Sequence, residues 1–192
     1  DNIVFNSTID RNKHLIPGLV LEQVINGTQE LFDSLKHFGV NIHYLGGETA
    51  DVGDVVRTIA VNGTMTCRWP KNKIISNEKI KAGDVIVGLA SYGQATYESA
   101  YNSGIGSNGL TSARHDALSK FYAEQYKESY DNNLDDEVVY IGKDRLSTDF
   151  SAQTSKGELL TNIGKLILSP TRTYAPVLKK LLENHFDKIH GL

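Results

Sequence analysis

The sequence predicts an α/β fold of mixed helices and sheets, and three features carry that expectation. Residues 17–38 place apolar side chains at helical spacing, residues 55–69 are rich in β-branched residues, and residues 84–91 form a compact apolar run of strand length. With 192 residues, 40% of them hydrophobic, the chain has material for a packed core and for one or two domains.

The first element is the clearest. Leu21, Val24, Ile25, Thr28, Leu31, Phe32, Leu35 and Phe38 recur at intervals of three and four, which lines them along one helical face. Pro17 suits the first turn and Gly39 a left-handed cap after the last. A short strand is expected over 41–45, followed by a loop, Gly46-Gly47-Glu48-Thr49-Ala50-Asp51. The next strand-rich stretch contains Asn62-Gly63, which local rules read as a two-residue hairpin turn. Residues 70–83, with four Lys and two Asn, read as a linker. A buried-type strand is expected over 84–91, then a loop rich in Gly, Ser and Tyr. A helix opens at Ser107-Asn108-Gly109 and extends to about residue 128. Tyr122, Tyr126 and Tyr130 repeat at i+4, a packing stripe rather than a stacking platform. An acidic irregular stretch over 131–154 precedes two closing helices, 157–168 and 173–184, split at Ser169-Pro170.

Charge and cysteine content exclude several function classes. Twenty Lys+Arg against 23 Asp+Glu leave a net charge of −3 with no basic stripe, so nucleic acid is not an expected partner. No apolar run approaches bilayer-spanning length, so no membrane is expected either. The single Cys67 excludes an internal disulfide and suits a reducing, cytoplasmic compartment. The three Asn-x-Ser/Thr sequons, at Asn6, Asn26 and Asn62, read as chance. His14, His37 and His43 stand isolated, and His115 has no partner at metal-ligand spacing.

Two segments combine a strand end with glycines and a polar group. Paired Gly46 and Gly47 would let backbone N–H groups face phosphate oxygens, and the adjacent Glu48 could hold Mg²⁺. Asp51 and Asp54, at spacings of three, make the same stretch acidic, which repels free phosphate but accepts phosphate that arrives with its metal. Ser107 would cap a helix whose first N–H groups, at Asn108 and Gly109, point outward as an anion site. Taken alone, the first segment reads better as an ordinary turn, and the second is a modest signal that simple capping also explains.

Their order says more. Gly46-Gly47-Glu48-Thr49-Ala50 is followed by Gly83-Asp84-Val85-Ile86-Val87-Gly88-Leu89-Ala90-Ser91. Ser107-Asn108-Gly109 comes next, and then Pro170-Thr171-Arg172-Thr173-Tyr174. This series, spread over most of the chain, resembles the aminoimidazole ribonucleotide synthetase (phosphoribosylformylglycinamidine cyclo-ligase) family of purine biosynthesis. The resemblance implies a two-domain ATP-binding fold, incomplete in this chain. Residues 1–81 would be the later half of a dimer-forming first domain, and residues 82–192 the opening part of the second. It also implies a homodimer, one long strand through Asn62-Gly63 in place of the hairpin, and a nucleotide site between domains. The implied reaction is ATP-driven closure of formylglycinamidine ribonucleotide to aminoimidazole ribonucleotide.

In that reading Glu48 is the catalytic carboxylate that places Mg²⁺ or ATP, with Gly46, Gly47, Thr49 and Asp51 shaping the nucleotide segment. Ser107, Asn108, Gly109 and Arg172 would hold the substrate phosphate. Thiamine-monophosphate kinases, selenophosphate synthetases and hydrogenase-maturation proteins share the implied fold and form the alternative. They match less well at the Glu of Gly-Gly-Glu-Thr and at Pro-Thr-Arg-x-Tyr. The sequence departs from the family where residues 94–106, bearing Tyr97, Glu98 and Tyr101, separate Gly93 from Ser107 with no preceding His. That insertion reads as a lid or as a decorated loop. Residues 121–155 also look longer than the family needs. Both ends read as interior sequence, so the chain is expected to be an excerpt that is inactive by itself.

Overall fold

The computed structural model describes residues 3–11, 16–56, 58–169 and 171–192, and for Ser107 the backbone alone. His14 therefore lies outside the described residues, as does Pro170. The chain divides into two compact units, residues 1–86 with 174–192, and residues 87–173.

The first unit is built on a three-stranded sheet. Strand β1 (Ile3–Arg11) lies centrally, parallel to β2 (Ile42–Asp51) and antiparallel to β3 (Ile59–Cys67). Parallel strands need a crossover, and the helix α1 (Gly18–Lys36) supplies it. The apolar face of α1 delivers Phe32 and Leu35 to a core with Val40 and Ile42, against which Ile3, Phe5, Tyr44 and Ala175 pack. Phe5 meets the Phe32 ring edge-on at 5.1 Å. Just beyond α1, Gly39 takes φ 75°, the left-handed conformation its sequence position predicts.

Three sequence expectations change over residues 46–91. Gly46–Asp51 is not a loop but the second half of β2. Asn62-Gly63 makes no turn: β3 runs straight through it, paired with β1 residue by residue from Cys67 to Ile59. A Cβ at position 63 would lie 2.6 Å from Cε2 of Phe5, so glycine here makes room for an aromatic ring. Residues 84–91 form no strand, and Val85, Ile86 and Val87 are 84, 97 and 78% exposed. Among the described residues no strand lies beside this run, and a strand needs a neighbouring strand to satisfy its backbone groups as a ladder. The predicted linker is irregular apart from one helical turn over Lys71–Lys73, yet it is pinned. Trp69 Nε1 donates to the Lys73 carbonyl at 2.7 Å, and Asn77 Oδ1 accepts from the Leu192 amide at 3.2 Å. The helix α5 (Ala175–His185) belongs to this same unit.

The second unit holds α2 (Gly106–Ala117), α3 (Phe121–Gln125), a hairpin of β4 (Asp149–Thr154) and β5 (Gly157–Asn162), and α4 (Ile163–Ile167). The single helix expected to run to residue 128 is interrupted because Leu118 turns extended. The Leu118 carbonyl and the Ser119 amide bond instead to residues 142 and 144. The helix expected from residue 157 starts only at Ile163, where the Asn162 side chain caps it by accepting from the Lys165 amide. Leu118, Val139, Tyr140 and Ile167 form the core. The tyrosine stripe packs as predicted: Tyr122 stacks on Tyr126 and meets Tyr140, which Tyr130 also meets edge-on. The long 121–155 stretch is thus folded back on α2 through Tyr140.

Candidate functional site

Residue 48 is aimed by a flaw in the strand that carries it. Phe5 opposes Tyr44 while Ser7 opposes Gly47, so Asn6 faces two residues, Leu45 and Gly46, in a β-bulge. Gly46 adopts φ 97°, which a side chain would strain. At Gly47 a Cβ would sit 1.8 Å from the Ser7 carbonyl oxygen, so no other residue fits. The extra residue reverses the alternation. Ile42 and Tyr44 face α1, but beyond the bulge Thr49 shares the helix-facing side with buried Ile9, and Glu48 shares the opposite side with Thr8 and Asn62. The Glu48 carboxylate is exposed on that open face.

Asp51 stands three positions on, so strand periodicity sends it to the other face, and the acidic cluster inferred from spacing dissolves. A carboxylate the sequence reading passed over takes its place. Asp10, opposite Ala50, shares the open face with Glu48 and accepts a hydrogen bond from Asn62 Nδ2 at 3.2 Å. The clue was a strand in Ile3–Arg11, whose β-branched residues are interrupted by Asn6 and Ser7.

Among the described residues no group of three His, Cys, Asp or Glu can hold a metal ion. An exposed carboxylate on an open sheet face still suits Mg²⁺, which takes one or two carboxylates together with waters and phosphate oxygens. Glu48 would be its protein ligand here, and the ion would neutralise phosphate charge.

In the second unit α2 begins at Gly106, one residue earlier than the sequence suggested, and the capping position falls to Ile105, which offers no side-chain cap. Ser107 is therefore not the cap; it lies with Asn108 and Gly109 in the first turn. The amides of that turn point out of the helix, where the helix dipole favours an anion. Gly109 meets no crowding: a Cβ there would touch only Ile105 Cγ2 at an ordinary 3.7 Å.

Arg172 is held inside the unit by a full set of acceptors. Its Nε and Nη2 form a fork on the Glu98 carboxylate at 2.7 and 2.6 Å. Nη1 donates to the carbonyls of Ala90 (2.6 Å) and Tyr92 (3.2 Å), and Nη2 also to Gly93 (3.0 Å). All five guanidinium N–H groups are thereby engaged, and a phosphate contact from Arg172 would require one of them to open. Burial alone pushes the Glu98 carboxyl up. The Arg172 guanidinium, the Ala95 amide and Asn102 outweigh it and hold the group below the usual carboxylate range.

His115 is a core residue. Its Nδ1 accepts from the Tyr140 amide at 3.2 Å and its ring lies 4.7 Å from the Tyr140 ring. Burial, helped by Arg114, pushes its pKa down against the smaller pull of Asp116. Cys67 is exposed at the end of β3. No helix among the described residues is long and apolar enough to cross a membrane.

No family model matches the chain. Individual relatives do. The chain is 45% identical over 173 residues to a phosphoribosylformylglycinamidine cyclo-ligase of Methanocaldococcus jannaschii, an alignment covering 90% of this chain and 37% of the relative. The enzyme of the same name from Pyrococcus furiosus is 36% identical over 173 residues with the same coverage. That from Thermococcus kodakarensis is 31% identical over 172 residues, covering 89% of this chain and 38% of the relative. The chain thus spans under two fifths of the length of these curated relatives. Within that span, the chain belongs to the phosphoribosylformylglycinamidine cyclo-ligase family.

Proposed function

We propose that this chain is part of an enzyme that closes formylglycinamidine ribonucleotide to aminoimidazole ribonucleotide at the expense of ATP. The observation that carries the reading is the alignment of about nine tenths of the chain with relatives named for that reaction. Ring closure needs the formyl amide oxygen, a poor leaving group, to be phosphorylated. The amidine nitrogen then attacks that carbon, the C–O bond breaks, and phosphate leaves as a proton is lost from nitrogen. ADP and phosphate are the by-products. Such phosphoryl transfer depends on positioning and charge neutralisation more than on covalent help.

The residues divide this work. Glu48, turned to the open face of the sheet by the Gly46 bulge, orients the metal-bound nucleotide. Gly46 and Gly47 act by setting that bulge, while Thr49 and Asp51 act from the opposite side of β2. The open first turn of α2, at Ser107, Asn108 and Gly109, receives the ribonucleotide phosphate. Arg172 serves that turn from behind, through the segment it holds. A homodimer, and a domain boundary near Lys81, belong to this same reading.

The test is direct. Full-length protein, given formylglycinamidine ribonucleotide and Mg·ATP, should release aminoimidazole ribonucleotide and ADP in equal amounts. Folded protein that hydrolyses ATP without forming the imidazole, or that phosphorylates thiamine monophosphate or selenide instead, would overturn the assignment.

A further inference from the structure

The insertion over residues 94–106 has no part in the reaction as described, and its contacts give it one. Gly93 and Asn102 exchange both backbone hydrogen bonds, at 2.9 and 2.8 Å, which closes the insertion at its neck. Within the loop, Glu98 Oε2 accepts from the Ala95 amide at 2.6 Å and Gln94 Nε2 donates to the Glu98 carbonyl at 3.1 Å. Outside it, three side chains reach the stretch 166–173. Tyr97 Oη donates to the Thr173 carbonyl at 2.9 Å, Ser103 Oγ to the Leu166 carbonyl at 2.7 Å, and Glu98 takes the Arg172 fork. The Arg172 and Glu98 side chains are only 6 and 15% exposed. A lid must leave its seat, and this loop is fastened at four places. It is a latch.

The latch ends where α2 begins. Asn102, itself buried, accepts from the Gly104 amide through Oδ1 at 2.9 Å. Gly104 and Gly106 take φ 79° and 64°, and a Cβ at Gly104 would press on Tyr92 Cβ at 3.0 Å. The turn into the helix is therefore built against residues 91–92, the same stretch whose carbonyls Arg172 holds. With no side-chain cap of its own, the helix start depends on this turn for its placement. We infer that Glu98 is a positioning residue for the reaction: by engaging the Arg172 fork it fixes residues 90–93 and the 104–106 turn, and so sets where the first turn of α2 meets the substrate phosphate. This rests on the function proposed above.

Glu98→Gln keeps the shape of the side chain and removes the charge from the pair. In full-length protein the KM for the ribonucleotide should rise about tenfold, while the KM for ATP stays within about twofold of its starting value. Hydrogen exchange without any ligand should quicken at the amides of residues 90–93 and 104–110 and remain unchanged in β1–β3 and α1. Tyr97→Phe, which deletes a single fastening, should move both readouts the same way by a smaller factor, and it serves as the test if Glu98→Gln fails to fold. Unchanged exchange at 104–110 would overturn the proposal. So would a fall in the amount of active protein with both KM values unaltered, which marks stability alone. If the unsubstituted protein does not form aminoimidazole ribonucleotide, the functional reading falls, and the exchange pattern still decides whether Glu98 places the helix start.

Discussion

The two glycine-bearing segments look alike in sequence and differ in what their glycines do. Gly46 and Gly47 are required by the chain itself, one by a backbone angle and the other by a carbonyl 1.8 Å from where its Cβ would stand. Gly109 is required by nothing inside the unit, since its added Cβ meets one methyl at van der Waals distance. A glycine that the fold needs speaks about strand pairing. A glycine that the fold could replace, in an uncapped first helical turn, speaks about what approaches from outside. In the function proposed above, the phosphate-facing role falls to the second segment, while the first contributes a carboxylate aimed by its bulge.

Substitutions can break or sharpen this contrast. Gly47→Ala should have the largest effect, since the new methyl cannot coexist with the β1–β2 pairing. A loss of about 4 kcal/mol or more is expected in the denaturant midpoint, or no folded protein at all. A stable Gly47→Ala protein would show that the bulge is not needed. Arg172→Lys comes next: it leaves the Glu98 fork and several carbonyls unserved, and about 3 kcal/mol should be lost. Glu48→Gln should leave the melting temperature where it is, because the side chain is exposed, and weaken use of Mg·ATP about tenfold or more. Unchanged kinetics would remove Glu48 from the site.

The smallest effect is a pH dependence. The folded state holds His115 neutral, its pKa pushed down by burial and by Arg114, so its Nδ1 can accept the Tyr140 amide. The unfolded chain takes up that proton more readily. Stability should therefore be complete above the ordinary imidazole pKa of about 6.5 and decline as pH falls through it. In His115→Gln, whose amide oxygen can accept the same hydrogen bond, denaturation midpoints between about pH 7.5 and about pH 5.5 should converge. An unaltered pH slope in that variant would place the proton uptake elsewhere.

What the sequence disclosed follows the range of the interactions involved. Helices α1 and α5 were legible because an amphipathic period is local, and Gly39 because a cap is local too. The β4–β5 hairpin was hidden by its polar composition, and β1 by the Asn6-Ser7 interruption that the bulge in β2 accommodates. Gly46-Gly47 passed for a loop because a bulge exists only in relation to the neighbouring strand. The role of Arg172 was out of reach for the same reason: its acceptors lie 74 to 82 positions away in the chain. Residues 84–91 had the composition of a strand, yet composition supplies no neighbouring strand, and none lies beside them among the described residues.

The contrast between the segments comes down to Gly109, and Gly109→Ala measures it in one protein. Helix propensity should leave the melting temperature unchanged or raise stability by up to about 1 kcal/mol, while the added methyl raises the KM for the ribonucleotide about tenfold or more. A lowered melting temperature, or a ribonucleotide KM that does not move, would contradict the account.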